Sequence, residues 1–265
     1  MSDWFALQPA DRPLEPARKV FVTGAPGRIG HGFAHACHDR YELTLMAAPD
    51  EDASRVEPFG RIVHADLTDK DRLVELMRGH DAVVHLAATP SAHATWDELL
   101  NPNVIGCYHG FAAAHEAKVK RVVYASSVNA VGGADAGHQV QPNEAVVPGN
   151  LYGAAKAFGE ALARYYAERE GMACYPLRIG AYRSVDSDWQ GHQADSPSGR
   201  KRRPSRCAVS WRDVNQLICA CLDTTSVRFA IVHAISRNEF DMLCTSQLRE
   251  LLGYEPQDDY RRGAC

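Results

Sequence analysis

Four things are missing from this 265-residue chain, and each removes a class of function. No apolar run approaches the roughly 20 residues that cross a bilayer, so no membrane-spanning helix is expected. The opening stretch, MSDWFALQPADRPLEPARK, has neither the basic start nor the apolar core of an export signal, which predicts a cytoplasmic protein. Positive charge is not in excess: the formal net charge is −4, which argues against a general nucleic-acid partner. The eight cysteines and twelve histidines never fall into a CxxC or Cys/His pattern with zinc spacing, so no metal is expected. The cysteines read instead as buried, reduced thiols.

What is present is an alternation of apolar strands and helical patterns. Segments 19–23, 42–46, 61–65, 82–86, 121–125 and 172–179 read as strands. Segments 28–40, 71–78, a stretch ending near Lys118, and 151–170 read as helices. Strands that alternate with helices imply right-handed crossovers and a mostly parallel sheet covered on both faces. The expected fold is therefore α/β, a doubly wound parallel sheet. Its divisions are an N-terminal arm at 1–18, a dinucleotide-binding domain at 19–180 and a small substrate-covering C-terminal part at 181–265, packed on the same domain. Trp4 and Phe5 favour docking of the arm. Beyond Gly180 the pattern loosens into a polar loop at 183–206, a helix at 211–222, a strand at 228–234 and a short helix at 245–252.

The first strand runs into Thr23-Gly24-Ala25-Pro26-Gly27-Arg28-Ile29-Gly30, which opens the first helix. Strand, glycine turn and helix in that order form the context of a Rossmann-type phosphate site. Gly24 permits the tight turn, Gly27 admits a pyrophosphate to the backbone, and Gly30 lets the helix sit close to the sheet. Backbone amides at the helix start, Arg28 and Ile29 included, then face the phosphates. The acid that would hold the adenosine ribose is expected about 18 to 20 residues further on. Ala48 stands there, so Asp50 is the candidate. The preferred cofactor is NAD, with NADP left open.

Tyr152 and Lys156, four residues apart on a helix, point the same way. A neighbouring ammonium favours the phenolate, so the pair can exchange a proton with a substrate oxygen.

The pattern TGxxGxxG, Asp66-Leu67, His85-Leu86-Ala87-Ala88, Ser126-Ser127 and Tyr152-Gly-Ala-Ala-Lys156 together resembles the extended short-chain dehydrogenase/reductases, over about residues 19 to 180. The resemblance implies a catalytic set of Ser127, Tyr152 and Lys156, with Asn103 near the site. Asp66 and Leu67 would flank adenine, and Ala87 and Ala88 would lie beside the cofactor. Within that family the runs LYGAAKAFGE and LRIG, and the short C-terminal part, are similar to the bacterial uronate dehydrogenases. Several positions that would contact a uronate differ here: Pro90 with Ser91 nearby, Val128, Asn129 and Ala181; the family's carboxylate-clamping Arg aligns with Arg203. These differences imply the same hydride transfer on a different or broader alcohol or sugar-type substrate. A sugar-nucleotide epimerase or dehydratase, or a non-catalytic NAD(P)-binding regulator, is the alternative. The family often pairs through the helix that carries the Tyr, so a homodimer through Tyr165 and Tyr166 is implied.

The basic run from Gly199 to Arg206 reads as a solvated loop or an anion clamp. His64 and His85 read as core residues, and His93 and His138 as loop residues near the site.

Overall fold

The β-branched and aromatic residues of the strand segments suit a pleated, buried backbone, and the sheet is built from them. The computed structural model describes residues 7–11, 13–183 and 206–260. The first strand, β1 (Leu7–Pro9), belongs to the arm. Six parallel strands follow: β2 (Lys19–Thr23), β3 (Glu42–Ala47), β4 (Arg61–His64), β5 (Ala82–His85), β6 (Arg121–Ser127) and β7 (Ala173–Ile179). Their spatial order is β4-β3-β2-β5-β6-β7, so the chain winds outward in both directions from β2. That reversal leaves a crevice at the carboxyl ends of β2 and β5, where open α/β sheets hold ligands.

Helices cover both faces. On one lie α2 (Lys70–Met77), α4 (Gly106–Glu116) and α5 (Leu151–Arg169), with Leu73, Met77, Phe111 and Ala163 in the core. On the other, α1 (Arg28–Cys37) packs against α6 (Trp211–Asp223) through Phe33, Cys37, Leu217 and Ile218. Between α2 and α4 stand the short α3 (Trp96–Leu99) and a π-helical stretch over Leu100–Ile105.

The C-terminal part extends the same sheet. Segment 228–234 is two short strands, β10 (Val227–Ala230) and β11 (Val232–Ala234), rather than one. β10 meets the start of β7 at Phe229 and Cys174, and β11 pairs with its end, so Ile231 takes up the offset. The strands β8 (Ala181–Arg183) and β9 (Ala208–Ser210) form a separate parallel pair. The last helix, α7, covers only Leu248–Leu252.

The arm docks through its backbone. β1 adds antiparallel to β10, and the amides of Ala10 and Leu14 donate to Ser226 and Thr225. Buried Arg121 anchors the seam, donating to the carbonyls of Glu15, Cys221 and Thr224. Trp4 and Phe5 lie outside the described residues.

Three burial expectations change. His64 is exposed because β4 is the edge strand, whereas His85 is buried. Tyr166 is buried and stacked on Phe111, leaving only Tyr165 on the helix surface. Five of the seven described cysteines are buried, but Cys207 and Cys244 are half-buried.

Candidate active site

The crevice is a cavity of about 740 Å³ whose walls include Gly24, Gly27, Arg28, Ile29, Gly30, Ala87, Ala88, Ser127, Asn129, Tyr152 and Lys156. Leu67 lines it too, and together with Asp66 it lines an adjoining pocket of about 260 Å³.

The glycine turn is closed by sterics. Gly24 has φ +65°, and a Cβ there would meet backbone atoms of Ala87 at 2.8 Å. A Cβ on Gly30 would strike the carbonyl oxygens of Gly24 and Ala25 at 2.6 Å. At Gly27 the nearest atom would be the Gly24 oxygen at 3.1 Å. Gly27 caps α1 without a side chain, and the first turn carries no acidic residue. Backbone amides and the positive end of the helix therefore face the cavity, which fits an anionic pyrophosphate.

Thr23 fixes the opposite rim. Its Oγ1 accepts from the amides of Leu86 and Ala87, each at 3.1 Å, and lies 2.8 Å from Nδ1 of His85. Burial, together with the Lys156 charge, pushes the His85 pKa down to about 3, so its imidazole is neutral where it hydrogen-bonds with Thr23.

The acid at the end of β3 is Glu51. Asp50 lines neither cavity, whereas Glu51 lines both. The chain turns back after Ala48: the Glu51 amide donates to the Ala48 carbonyl, and the Glu51 carboxylate accepts from the Ala48 amide at 3.0 Å. This turn swings the residue after Asp50 over the pocket. Asn103 also stands off the cavity. It is buried in the π-helical stretch and brackets Thr89, accepting from its amide at 2.8 Å and donating to its carbonyl at 3.2 Å. Thr89, not Asn103, reaches the wall.

Ser127 ends β6, and Tyr152 and Lys156 lie in the first two turns of α5. Asn150 caps that helix, accepting from the Gly153 amide at 2.8 Å. Its side-chain amide donates to Asn129 at 2.9 Å, and Asn129 donates both its backbone and side-chain N–H to the Ser127 oxygen. With both acceptor positions taken, the Ser127 hydroxyl donates outward. Close packing holds the frame: a Cβ on Gly153 would lie 2.1 Å from the Asn129 carbonyl oxygen. Asn150 and Gly153 escaped the sequence reading, although an Asn before a helix is a recognisable cap signal.

The Tyr152 hydroxyl is pushed up from its usual pKa by burial, and a hydrogen bond with Ser127 acts in the opposite direction. Lys156 is buried, and loss of solvation pushes its pKa down to about 8. Its Nζ lies over two ring faces, 5.0 Å from the centroid of Tyr124 and 5.6 Å from that of Tyr152. The ammonium thus sits over the Tyr152 ring, and the lowering influence on the phenol comes from the Ser127 hydrogen bond, which burial outweighs. Gly159 makes room for Tyr124, since a Cβ there would lie 2.3 Å from its ring.

Behind Ser127 lies a buried ion pair. Arg178 donates to both oxygens of Glu160, at 3.0 and 2.9 Å, and Ser126 Oγ donates to the same carboxylate at 2.6 Å. Glu160 lies one turn beyond Lys156, so the pair fastens α5 to β6 and β7.

The expected substrate residues divide. Asn129 lines the cavity. Ser91, Val128 and Ala181 do not: Pro90, Ala92 and Tyr182 take those wall positions, and Val128 packs into a satellite apolar cluster. Arg203 lies outside the described residues, with most of the basic run. Tyr182 is clasped to the glycine turn, because Arg28 donates to its carbonyl at 3.0 Å and lies 5.5 Å over its ring. His138 is turned to Glu144, and His93 is exposed.

A model of the NAD dependent epimerase/dehydratase family matches residues 20–186. The NAD-dependent glucose-6-phosphate dehydrogenase of Haloferax volcanii is 31% identical over 255 residues, spanning 91% of this chain and 93% of that protein. The L-arabinose 1-dehydrogenase (NAD(P)(+)) of the same organism is 30% identical, spanning 91% of this chain and 97% of that protein. A solved structure of uronate dehydrogenase from Agrobacterium tumefaciens superposes with a TM-score of 0.76 at 26% identity, covering 92% of this chain and 85% of that one.

Proposed function

This chain belongs to the NAD dependent epimerase/dehydratase family, and from that premise we propose that it is a dehydrogenase that oxidises a sugar-type hydroxyl with NAD. One observation carries the reading: Ser127, Tyr152 and Lys156 line the same cavity as a glycine turn shaped for a pyrophosphate. NAD is favoured over NADP because Glu51 faces the adenosine end, where its carboxylate would repel a 2′-phosphate.

NAD, when bound, supplies the hydride acceptor. Tyr152 takes the proton of the substrate hydroxyl as it becomes a carbonyl. Ser127, its oxygen fixed by Asn129, donates to the same substrate oxygen. Lys156, beside the Tyr152 ring on the cavity wall, would hold the nicotinamide ribose.

The substrate reading follows from the wall. Among the described residues, Arg28 is the only arginine lining the cavity, and it is engaged with Tyr182. Pro90, Ala92 and Gly180 add no charge. We therefore read the substrate as an aldose or aldose derivative other than a hexuronate. The related dehydrogenases, named for glucose 6-phosphate, L-arabinose and uronate, fit a scaffold that changes sugars readily. Purified protein supplied with NAD and a panel of aldoses, aldose phosphates, uronates and simple alcohols should release NADH with an aldose-type sugar. If no member of the panel yields NADH, the reaction is wrong. If galacturonate is the best substrate, the substrate class is wrong.

Tyr108 on α4, and Phe158 and Tyr165 on α5, are exposed and suit pairing of two copies through these helices. Light scattering should give a dimer that Tyr165→Glu weakens. The free thiols suit a reducing, cytoplasmic setting.

A further inference from the structure

On the sheet face formed by α1 and α6, away from the catalytic cavity, lies a second cavity of about 650 Å³. Cys37 and Cys219 line it together with Arg40 and Asp223. The two sulfurs, 182 residues apart in sequence, stand 3.4 Å apart. Cys37 is the last residue of α1, and Cys219 lies within α6, so the pair joins a helix end to a helix interior. A disulfide needs the sulfurs about 2.05 Å apart, so the required approach is little more than about an ångström.

We propose that Cys37 and Cys219 form an oxidisable dithiol, a modification site for a small hydroperoxide, independent of the hydride-transfer reading. Both thiols are nearly buried, and the cavity gives a small oxidant access to them. Tyr41 and Arg40 flank the pair. Tyr41 donates to Asp223 at 3.0 Å, and the Arg40 guanidinium is paired with the same carboxylate. Cys219 is the attacking sulfur. The hydrogen bond between the two sulfurs and the Arg40 charge favour its thiolate against burial, while Cys37 is pushed up.

The Cys219 thiolate attacks a peroxide oxygen: an S–O bond forms, the O–O bond breaks, and an alcohol or water leaves with a proton. Cys37 sulfur then attacks the sulfenic sulfur: an S–S bond forms, the S–O bond breaks, and water leaves with the Cys37 proton. Two thiols lose two electrons, and the peroxide gains them. The bond staples α1, which follows directly on the glycine turn, to α6 of the C-terminal part.

The folded wild-type protein, treated with hydrogen peroxide, then alkylated and digested without reductant, tests this by mass spectrometry. The expected result is a Cys37–Cys219 cross-linked peptide, a mass loss of about 2 Da from the intact chain, and recovery of both thiols with dithiothreitol. Cys37→Ala should leave Cys219 oxidised to sulfenic or sulfinic acid, and Cys219→Ala should leave Cys37 a thiol. If both thiols of the wild type stay free, or if either cross-links elsewhere, the proposal fails. Because the readout is on wild-type protein, poor folding of a variant does not affect it.

Discussion

Asn129 donates two hydrogen bonds to the oxygen of Ser127, one from its backbone amide and one from its side chain, each 3.1 Å long. The Ser127 proton is thereby aimed outward, and the chain of contacts runs on through Asn150 to the first turn of α5. The hydroxyl and the start of α5 are thus set by one polar frame.

Asn129→Ala removes the side-chain donor and the link to Asn150 but keeps the backbone donor. The expected result is a fall in kcat on the order of tenfold. That is less than the hundredfold or more for a donor that touches the reacting oxygen. Steady-state kinetics at saturating NAD check this, and unchanged kcat would show that the backbone donor alone suffices.

Tyr152→Phe deletes the proton acceptor and little else. Turnover should fall on the order of a hundredfold or more, while NAD affinity, measured by calorimetry, stays within about twofold. Retained turnover would remove Tyr152 from the mechanism.

Lys156 has a pKa pushed down by burial from 10.5 to about 8. Between those values the unfolded chain binds more protons at this site than the folded chain, so stability contributed by Lys156 rises with pH across that window and is lowest below it. Lys156→Met should therefore abolish turnover yet stabilise the cofactor-free protein at neutral pH, by about 3 kcal/mol at most. Urea unfolding of both proteins from pH 7 to 10.5 should show the difference shrinking as pH rises. A difference that does not change with pH would contradict the buried-ammonium account.

Glu160→Gln leaves Arg178 buried without its counter-charge. Such a loss costs about 3–5 kcal/mol. The double change Glu160→Met with Arg178→Leu should be less destabilising than the single one, because no charge is stranded. Denaturant midpoints of the three proteins decide it.

Much of the site was legible because it is local. The glycine turn and the Tyr152–Lys156 spacing each depend on a few neighbouring residues and a periodicity, the family resemblance adds Ser127, and all reach one cavity. Residues whose role depends on a turn or a distant neighbour were read less well. Spacing points to Asp50 and does not show that the chain folds back on Ala48, which brings Glu51 to the cavity wall. The family resemblance implies Asn103 near the site, and only the fold shows that it brackets Thr89, 14 residues away. Tyr166 looked like its neighbour Tyr165, but one step along a helix is a rotation of about 100°, and that turns it onto Phe111.

By itself the sequence determined the alternation of strands and helices and the residue types that carry chemistry. Both follow from backbone propensity and short-range spacing, which each segment expresses alone. Tertiary structure decided which groups face one another: the arm that becomes an edge strand beside β10, the Asn129 donors that aim Ser127, the Tyr124 ring beneath Lys156, and the meeting of Cys37 with Cys219. These pairs are far apart in sequence and are joined only when the strands order themselves and the helices pack, so burial and contact, rather than local preference, assign their roles.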